Sequence, residues 1–201
     1  MSFQDFPLHP PKGSREKQVM TEHWCRIVMN RNTKGLVGDL DFRNFVALEI
    51  SGTVWKDFGF KCWTAGWYPG FDICDATGLR GRSYDIVLAE QVFEHVKYPF
   101  RAASNVRYIL KPGGYFLLTV PFLIRHHPSP VDCYRWSAEG LRYFLVETGF
   151  DPTSIITGSW GNKDCVIENF KRWAEYDPAI HSLANEEAFP IVCWGRARKA
   201  L

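Results

Sequence analysis

Three short apolar runs limit most strongly what this chain can fold into. They are Phe45-Val46-Ala47-Leu48-Glu49-Ile50, Tyr84-Asp85-Ile86-Val87-Leu88-Ala89 and Tyr115-Phe116-Leu117-Leu118-Thr119-Val120. A strand with one wet face alternates apolar and polar residues. A nearly continuous apolar run is what a strand covered on both faces requires. Ser51-Gly52 ends the first run and Pro121 ends the third. Between the second and third, a helix is expected over 99–110, with Pro99 suited to its first turn. Lys111-Pro112-Gly113-Gly114 then stops that helix and turns the chain.

The remaining elements continue the alternation. Ser14 can cap a helix over 14–32, with Val19, Met20, Trp24, Ile27 and Val28 at helical spacing. Residues 35–44 read as a polar connection. Strands are expected over 60–65, 154–156 and 191–196, with a short extended piece over 70–74. Ser137 caps a helix ending at Gly149, although Gly140 stands where a capping box has Glu. A last helix is expected over 164–176. Strands alternating with helices imply an α/β fold with a doubly wound, mostly parallel sheet. At 201 residues, one domain over 1–201 accounts for the whole length, with the Pro-rich residues 1–13 as a surface arm.

Composition excludes several classes. A formal net charge of +2 gives no reason to expect a nucleic-acid or anionic-membrane partner. No apolar run reaches membrane-spanning length and 1–13 lacks the core of a signal peptide, so a cytoplasmic location is expected. Six cysteines, none in C-x-x-C spacing, read as mostly buried thiols in a reducing compartment.

In such a sheet, ligands bind at the carboxyl ends of the strands, where strand order reverses. At two of those places the motifs are informative. Tyr84-Asp85-Ile86-Val87, then Glu94-His95, then Leu110-Lys111-Pro112-Gly113-Gly114 resemble the pattern Y/F-D-x-V, E-H, L-K-P-G-G of class I S-adenosylmethionine-dependent methyltransferases. The resemblance covers about residues 45–150. Ile191-Val192-Cys193-Trp194-Gly195-Arg196-Ala197 is similar to that family's final antiparallel strand.

The resemblance implies a Rossmann-like fold and S-adenosyl-L-methionine as cofactor. Glu49 stands at the acidic position ending the first strand, where a carboxylate orients backbone amides or pairs with the cofactor's ammonium group. Asp72 and Ile73 fall near the adenine. Ala89 and Glu90 fall beside the methionine part and the transferred methyl. There are two departures. The family's G-x-G-x-G loop is here Ser51-Gly52-Thr53-Val54-Trp55, with one glycine. The ribose-binding carboxylate falls at Gly66-Trp67-Tyr68, where none exists. The Ser51 and Thr53 hydroxyls and the Trp67 ring are the candidate replacements.

The catalytic candidates are His126 and His127, in the loop after the fifth family strand, and His95. An imidazole titrating near neutrality can take the acceptor's proton. Glu94 and His95 have a second reading. Small-RNA 2′-O-methyltransferases and some quinone O-methyltransferases hold a divalent ion with a Glu-x-x-Glu-His segment. Here the segment is Gln91-Val92-Phe93-Glu94-His95, with an amide for the first carboxylate, so no metal is assigned and the pair is expected to fix the loop by hydrogen bonds. Arg135 is expected to anchor that loop through Asp132 or Glu94. Trp160-Gly161-Asn162 either closes the acceptor pocket or makes a strand-to-helix turn. Cys133 reads as a buried thiol, and the first helix as core with a lid role open.

The implied activity is methyl transfer by direct displacement to an oxygen or nitrogen of a small molecule or sugar. Two rivals remain. One is a degenerate methyltransferase fold that binds cofactor or partner in a regulatory role. The other is a nicotinamide-dependent enzyme, disfavoured because the first loop lacks G-x-G-x-x-G.

Overall fold

The structure, a computed structural model, describes residues 22–201. The expected arm and the first turns of the expected 14–32 helix lie outside these residues. The elements in chain order are α1 (Trp24–Gly38), β1 (Val46–Ile50), β2 (Cys62–Gly66), β3 (Tyr84–Glu90), α2 (Pro99–Ile109), β4 (Leu110–Pro121), α3 (Ala138–Glu147), β5 (Ile156–Trp160), α4 (Lys163–Lys171) and β6 (Val192–Arg198). The strands form one six-stranded sheet in the order β2-β1-β3-β4-β6-β5. The β2, β1, β3 and β4 strands run parallel. The β6 strand lies antiparallel between β4 and β5. This is the expected Rossmann-like sheet, and its order reverses between β1 and β3.

The apolar runs are buried on both faces, as their patterning requires. Leu48, Ile50, Val87, Ala89, Phe116 and Leu118 face α2 and α3. Ala47, Ile86, Leu88 and Leu117 face the other side, where Val37 of α1 and Trp55 cover them. At the β5–β6 end, Trp24, Met29, Trp160, Ile191 and Trp194 form a separate cluster under α1. Glu49, Glu90 and Thr119 continue the α1-facing parity of these strands to their carboxyl ends.

Several expected boundaries move, for identifiable reasons. Helix α1 runs on to Gly38 through residues read as a connection. Val37 is fully buried on the sheet there, so tertiary burial outweighs the two glycines. The 70–74 piece is a turn, because the Asp72 carboxylate accepts from the Cys74 N–H at 2.8 Å and Phe71 N–H donates to the Trp67 carbonyl. Lys111-Pro112-Gly113-Gly114 is not a separate turn but part of β4. It absorbs a register shift opposite Tyr84 and Ile86, with Gly113 at φ +74°, a left-handed geometry that suits glycine.

The late strand begins at Ile156, not Ser154. Ser154 is a corner residue that accepts from Arg198 N–H at 3.0 Å. Helix α4 stops at Lys171, short of residue 176. The chain beyond it pairs with the start of α1, through Trp24 N–H to Ala174 O and Tyr176 N–H to Glu22 O. Trp160-Gly161-Asn162 makes the strand-to-helix turn: Trp160 is buried and Asn162 caps α4 by accepting from Cys165 N–H. Among the cysteines, Cys25, Cys165 and Cys193 are buried, whereas Cys62 and Cys133 are exposed. The buried-thiol expectation therefore fails for Cys133, which sits on the outside of its loop. Among the described residues no helix is long and apolar enough to cross a membrane.

Candidate active site at the carboxyl edge of the sheet

Both strands flanking the reversal point end in a left-handed residue. Ser51 follows β1 and Gln91 follows β3, each with φ +55°. This region is costly for residues other than glycine, and it recurs where a ligand edge is built. Each is clasped by a neighbour: Ser51 N–H donates to Gly66 O at 2.8 Å, and Gln91 N–H donates to Thr119 O at 3.0 Å.

The first loop departs from the G-x-G-x-G pattern in structure as well as in sequence. Residues 51–61 connect two parallel strands by turns alone, without a helix. No helix N-terminus therefore backs the loop, and its usual contribution to binding a charged group is absent. Instead Glu49 organises the connection. Its carboxylate is fully buried and accepts from Val54 N–H at 2.8 Å, Trp55 N–H at 3.1 Å and the Trp63 indole N–H at 2.9 Å. Burial pushes the Glu49 pKa up, and these donors oppose the shift. Of the two roles open to Glu49, the structure takes amide orientation. Gly52 lies against this carboxylate so closely that a Cβ there would stand 2.4 Å from Oε1. Trp55, only 1% exposed, is inserted beside Ala89, Glu90, Leu117 and Thr119.

The other cofactor candidates fall into two groups. Ser51 and Thr53 are exposed at the edge, and Ala89 lies in the buried floor next to it. Beyond β2, Ile73 is buried and its carbonyl accepts from the Asn105 side chain at 2.8 Å. Asp72 holds the same turn, and Trp67 projects with 53% of its surface exposed. In the segment Gly66-Trp67-Tyr68, which carries no carboxylate, the Phe71 ring lies over Gly66 at 2.5 Å from a hypothetical Cβ. Glu90 is paired with Arg26 of α1 at 3.2 Å, and burial pushes its pKa up despite that partner.

Beside this edge opens a cleft of about 290 Å³, lined by His23, Cys25, Arg26, Gln91, Glu94, His95, Pro121, Ile124, His127, Ser129, Trp173 and Val192. Helix α1 thus supplies both core and a wall of the cleft. Of the three catalytic candidates, His95 and His127 line it, with ring centroids 5.0 Å apart. His126 points out, exposed. Burial pushes the His127 pKa down. Glu94 is fully buried, and among the described residues neither carboxylate oxygen has a hydrogen-bond partner. Desolvation pushes its pKa up to about 8.

The loop is fixed by other atoms than the Glu94 side chain. The Glu94 main-chain carbonyl accepts from Cys133 N–H at 2.8 Å and Tyr134 N–H at 3.3 Å, and His95 Nδ1 donates to the Val131 carbonyl. Arg135 pairs with Asp132, not Glu94, through both guanidinium nitrogens, one at 2.6 Å. Asp132 in turn accepts from His127 N–H at 2.8 Å. The Arg135 side chain is the main reason that Asp132 stays ionised far below the usual carboxylate range. This hub sets the position of His127. Sequence reading missed Arg26, Gln91 and Ser129 as cleft residues. For Gln91, its place after β3 was the available signal.

Residues 32–118 match the family profile described as "Methyltransferase domain". No curated protein matches the chain in sequence. Among solved structures, a SAM-dependent methyltransferase from Archaeoglobus fulgidus superposes with a TM-score of 0.55 at 13% identity, over 87% of this chain and 94% of that one. A SAM-dependent methyltransferase from Thermotoga maritima, described as a possible histamine N-methyltransferase, gives 0.53 at 12% identity, over 87% and 93%. A phosphoethanolamine N-methyltransferase from Haemonchus contortus, in complex with S-adenosyl-L-methionine, gives 0.55 at 13% identity, over 87% of this chain and 53% of that one. Residues 32–118 are thus similar to a methyltransferase domain, and the chain carries the fold of the class I S-adenosylmethionine-dependent methyltransferases.

Proposed function

We propose that this protein is an S-adenosylmethionine-dependent methyltransferase acting on an oxygen or nitrogen of a small molecule or sugar held in the His95–His127 cleft. The carrying observation is the position of that cleft. It opens beside Gln91 and Pro121, at the carboxyl ends of β3 and β4, where a sheet of this order binds its ligands. Its volume of about 290 Å³ suits a small acceptor.

The edge fits the cofactor in part. Ser51, Gly52 and Thr53 present a left-handed turn with exposed hydroxyls, and Asp72, Ile73 and Trp67 offer a carboxylate, an apolar surface and an aromatic face. Glu90, beside Ala89, carries the charge nearest the edge. Glu49 acts indirectly, by holding the loop. When bound, S-adenosylmethionine supplies an electrophilic sulfonium methyl. The chain's own contribution is alignment of the acceptor and exclusion of water, done by α1 and the 121–135 loop. His127 and His95 line the cleft, where in the metal-free protein a free ring nitrogen can receive the acceptor's proton, and Asp132 holds His127 in place.

One observation favours a second reading, a regulatory binder without catalysis. The connection after β1 has no helix, and Gly66-Trp67-Tyr68, where the ribose carboxylate is expected, carries none. Calorimetric titration with S-adenosylmethionine, followed by methyl transfer to a panel of hydroxyl and amine acceptors, separates the two. Binding with turnover supports the enzyme. Binding without turnover on any acceptor supports the regulatory reading. A folded protein that does not bind the cofactor at millimolar concentration overturns the enzyme reading and leaves only regulation through a partner.

The sharpest single variant is Trp67→Ala. Its ring is exposed, so thermal stability should stay within about 0.5 kcal/mol of the parent. Loss of a stacking face should still weaken cofactor binding about tenfold, equal to roughly 1.4 kcal/mol. An unchanged dissociation constant would remove Trp67 from the site. Asp72→Ala is a less clean test, because it also breaks the turn at Cys74.

A further inference from the structure

We propose that Glu94, His95 and His127 form a binding site for a divalent transition-metal ion, with open coordination positions facing the cleft. One ligand atom from each of the three residues lies within 4.8 Å of the others. His95 Nε2 stands 3.5 Å from Glu94 Oε1. Two ligands of a tetrahedral ion with bonds near 2.1 Å are about 3.4 Å apart, so this pair needs almost no movement. Small side-chain rotations bring in the third.

Three independent features point to a cation. First, Glu94 is fully buried, lines the cleft, and has no hydrogen-bond partner among the described residues at either carboxylate oxygen. A buried carboxylate left unsatisfied is expensive, and such groups pair or hold metal. Second, His95 Nδ1 donates to the Val131 carbonyl. That bond fixes the tautomer and leaves Nε2 as a bare acceptor aimed at Glu94. Metal-binding histidines are held in this way by an outer partner. Third, His127 is held through its main chain and keeps a free ring nitrogen. Its main-chain N–H donates to Asp132, whose carboxylate lies 3.6 Å from Nδ1, and Nδ1 has no hydrogen bond.

The donor set selects the ion. Two imidazoles and one carboxylate suit zinc, iron(II), manganese or cobalt, and fit magnesium or calcium poorly. With three protein ligands the site keeps positions for water or for acceptor oxygens. In the acceptor cleft, a cation would stabilise a deprotonated hydroxyl whose proton has left to water. The two imidazoles then act as ligands, not as proton acceptors. That second step rests on the proposed function; the binding of metal does not.

The test is a titration of chelator-treated, desalted full-length protein with Co²⁺, followed by its visible absorption, with no cofactor or acceptor present. Zn²⁺ competition checks the ion class. One equivalent should bind, and Glu94→Gln and His127→Ala should each weaken it by at least tenfold, with His126→Ala unchanged. Thermal midpoints show that the variants are folded, and two separate substitutions guard against the failure of one. The proposal is overturned by absence of saturable binding, or by an affinity in both variants equal to that of the parent protein. It is also overturned by a thiolate charge-transfer band that disappears in a Cys62→Ser, Cys133→Ser protein. A negative metal result leaves cofactor binding untouched, and a chain that binds metal without binding cofactor refutes only the enzyme reading.

Discussion

Glu49→Ala is expected to lower the free energy of unfolding by about 4 kcal/mol, a large value for one side chain. Its carboxylate satisfies three donors: two main-chain amides of the loop after β1 and the Trp63 indole on β2. Truncation strands all three, the Trp55 amide in a buried bond and the other two in part-buried ones. Each orphaned donor costs roughly 1–3 kcal/mol, less than additively because the loop relaxes. For a domain of this size the melting temperature should fall by about 8–16 °C. Glu49→Gln keeps the volume and one acceptor, so about half that loss is expected. Chemical denaturation of the three proteins checks this. A loss below about 1 kcal/mol in Glu49→Ala would mean that the loop holds itself. The same experiment guards the cofactor assay. Weakened binding in Glu49→Ala reflects a displaced Ser51-Gly52-Thr53 turn, not a lost ligand contact.

His127→Ala is expected to reduce turnover by about 10²–10⁴-fold, the usual weight of a group that handles the acceptor's proton or charge. The side chain sits at the cleft wall beside His95 and Trp173, so its removal should leave the fold intact. Asp132→Asn should produce a smaller loss, about 10–100-fold, by releasing Arg135 and loosening His127. His126→Ala should lose far less, because its ring lies outside the cleft. Steady-state kinetics on whichever acceptor the panel identifies would rank the three. If His126→Ala proves the most impaired, the cleft is not where the acceptor binds.

The sheet was legible because its signal is local. Unbroken apolar runs at 45–50, 84–89 and 115–120 can be satisfied only by burial on both faces, and the strands β1, β3 and β4 follow. Ser137 and Pro99 marked helix starts for equally local reasons, a capping acceptor and a preset φ. The edge residues after β1 and β3 could be named because topology places ligands there. Boundaries that failed were those decided by distant partners. Helix α1 runs on because Val37 meets the sheet, and α4 ends early because the 174–176 segment pairs with the start of α1.

The site divides in the same way. The types and order of residues determined that His95, Glu94 and His127 were chemically interesting. Their meeting was decided only by the tertiary structure, which joins His95 to Val131 across 36 residues and Arg26 to Glu90 across 64. Which of two adjacent histidines enters the cleft depends on the Asp132–Arg135 hub and the conformation of its loop. The same loop path brings Asp132 and not Glu94 to Arg135, so the Glu94 carboxylate has no hydrogen bond among the described residues. Periodicity encodes which face of an element is buried. The path of an irregular loop is set by the side chains it happens to meet, and that information exists only once the chain is folded.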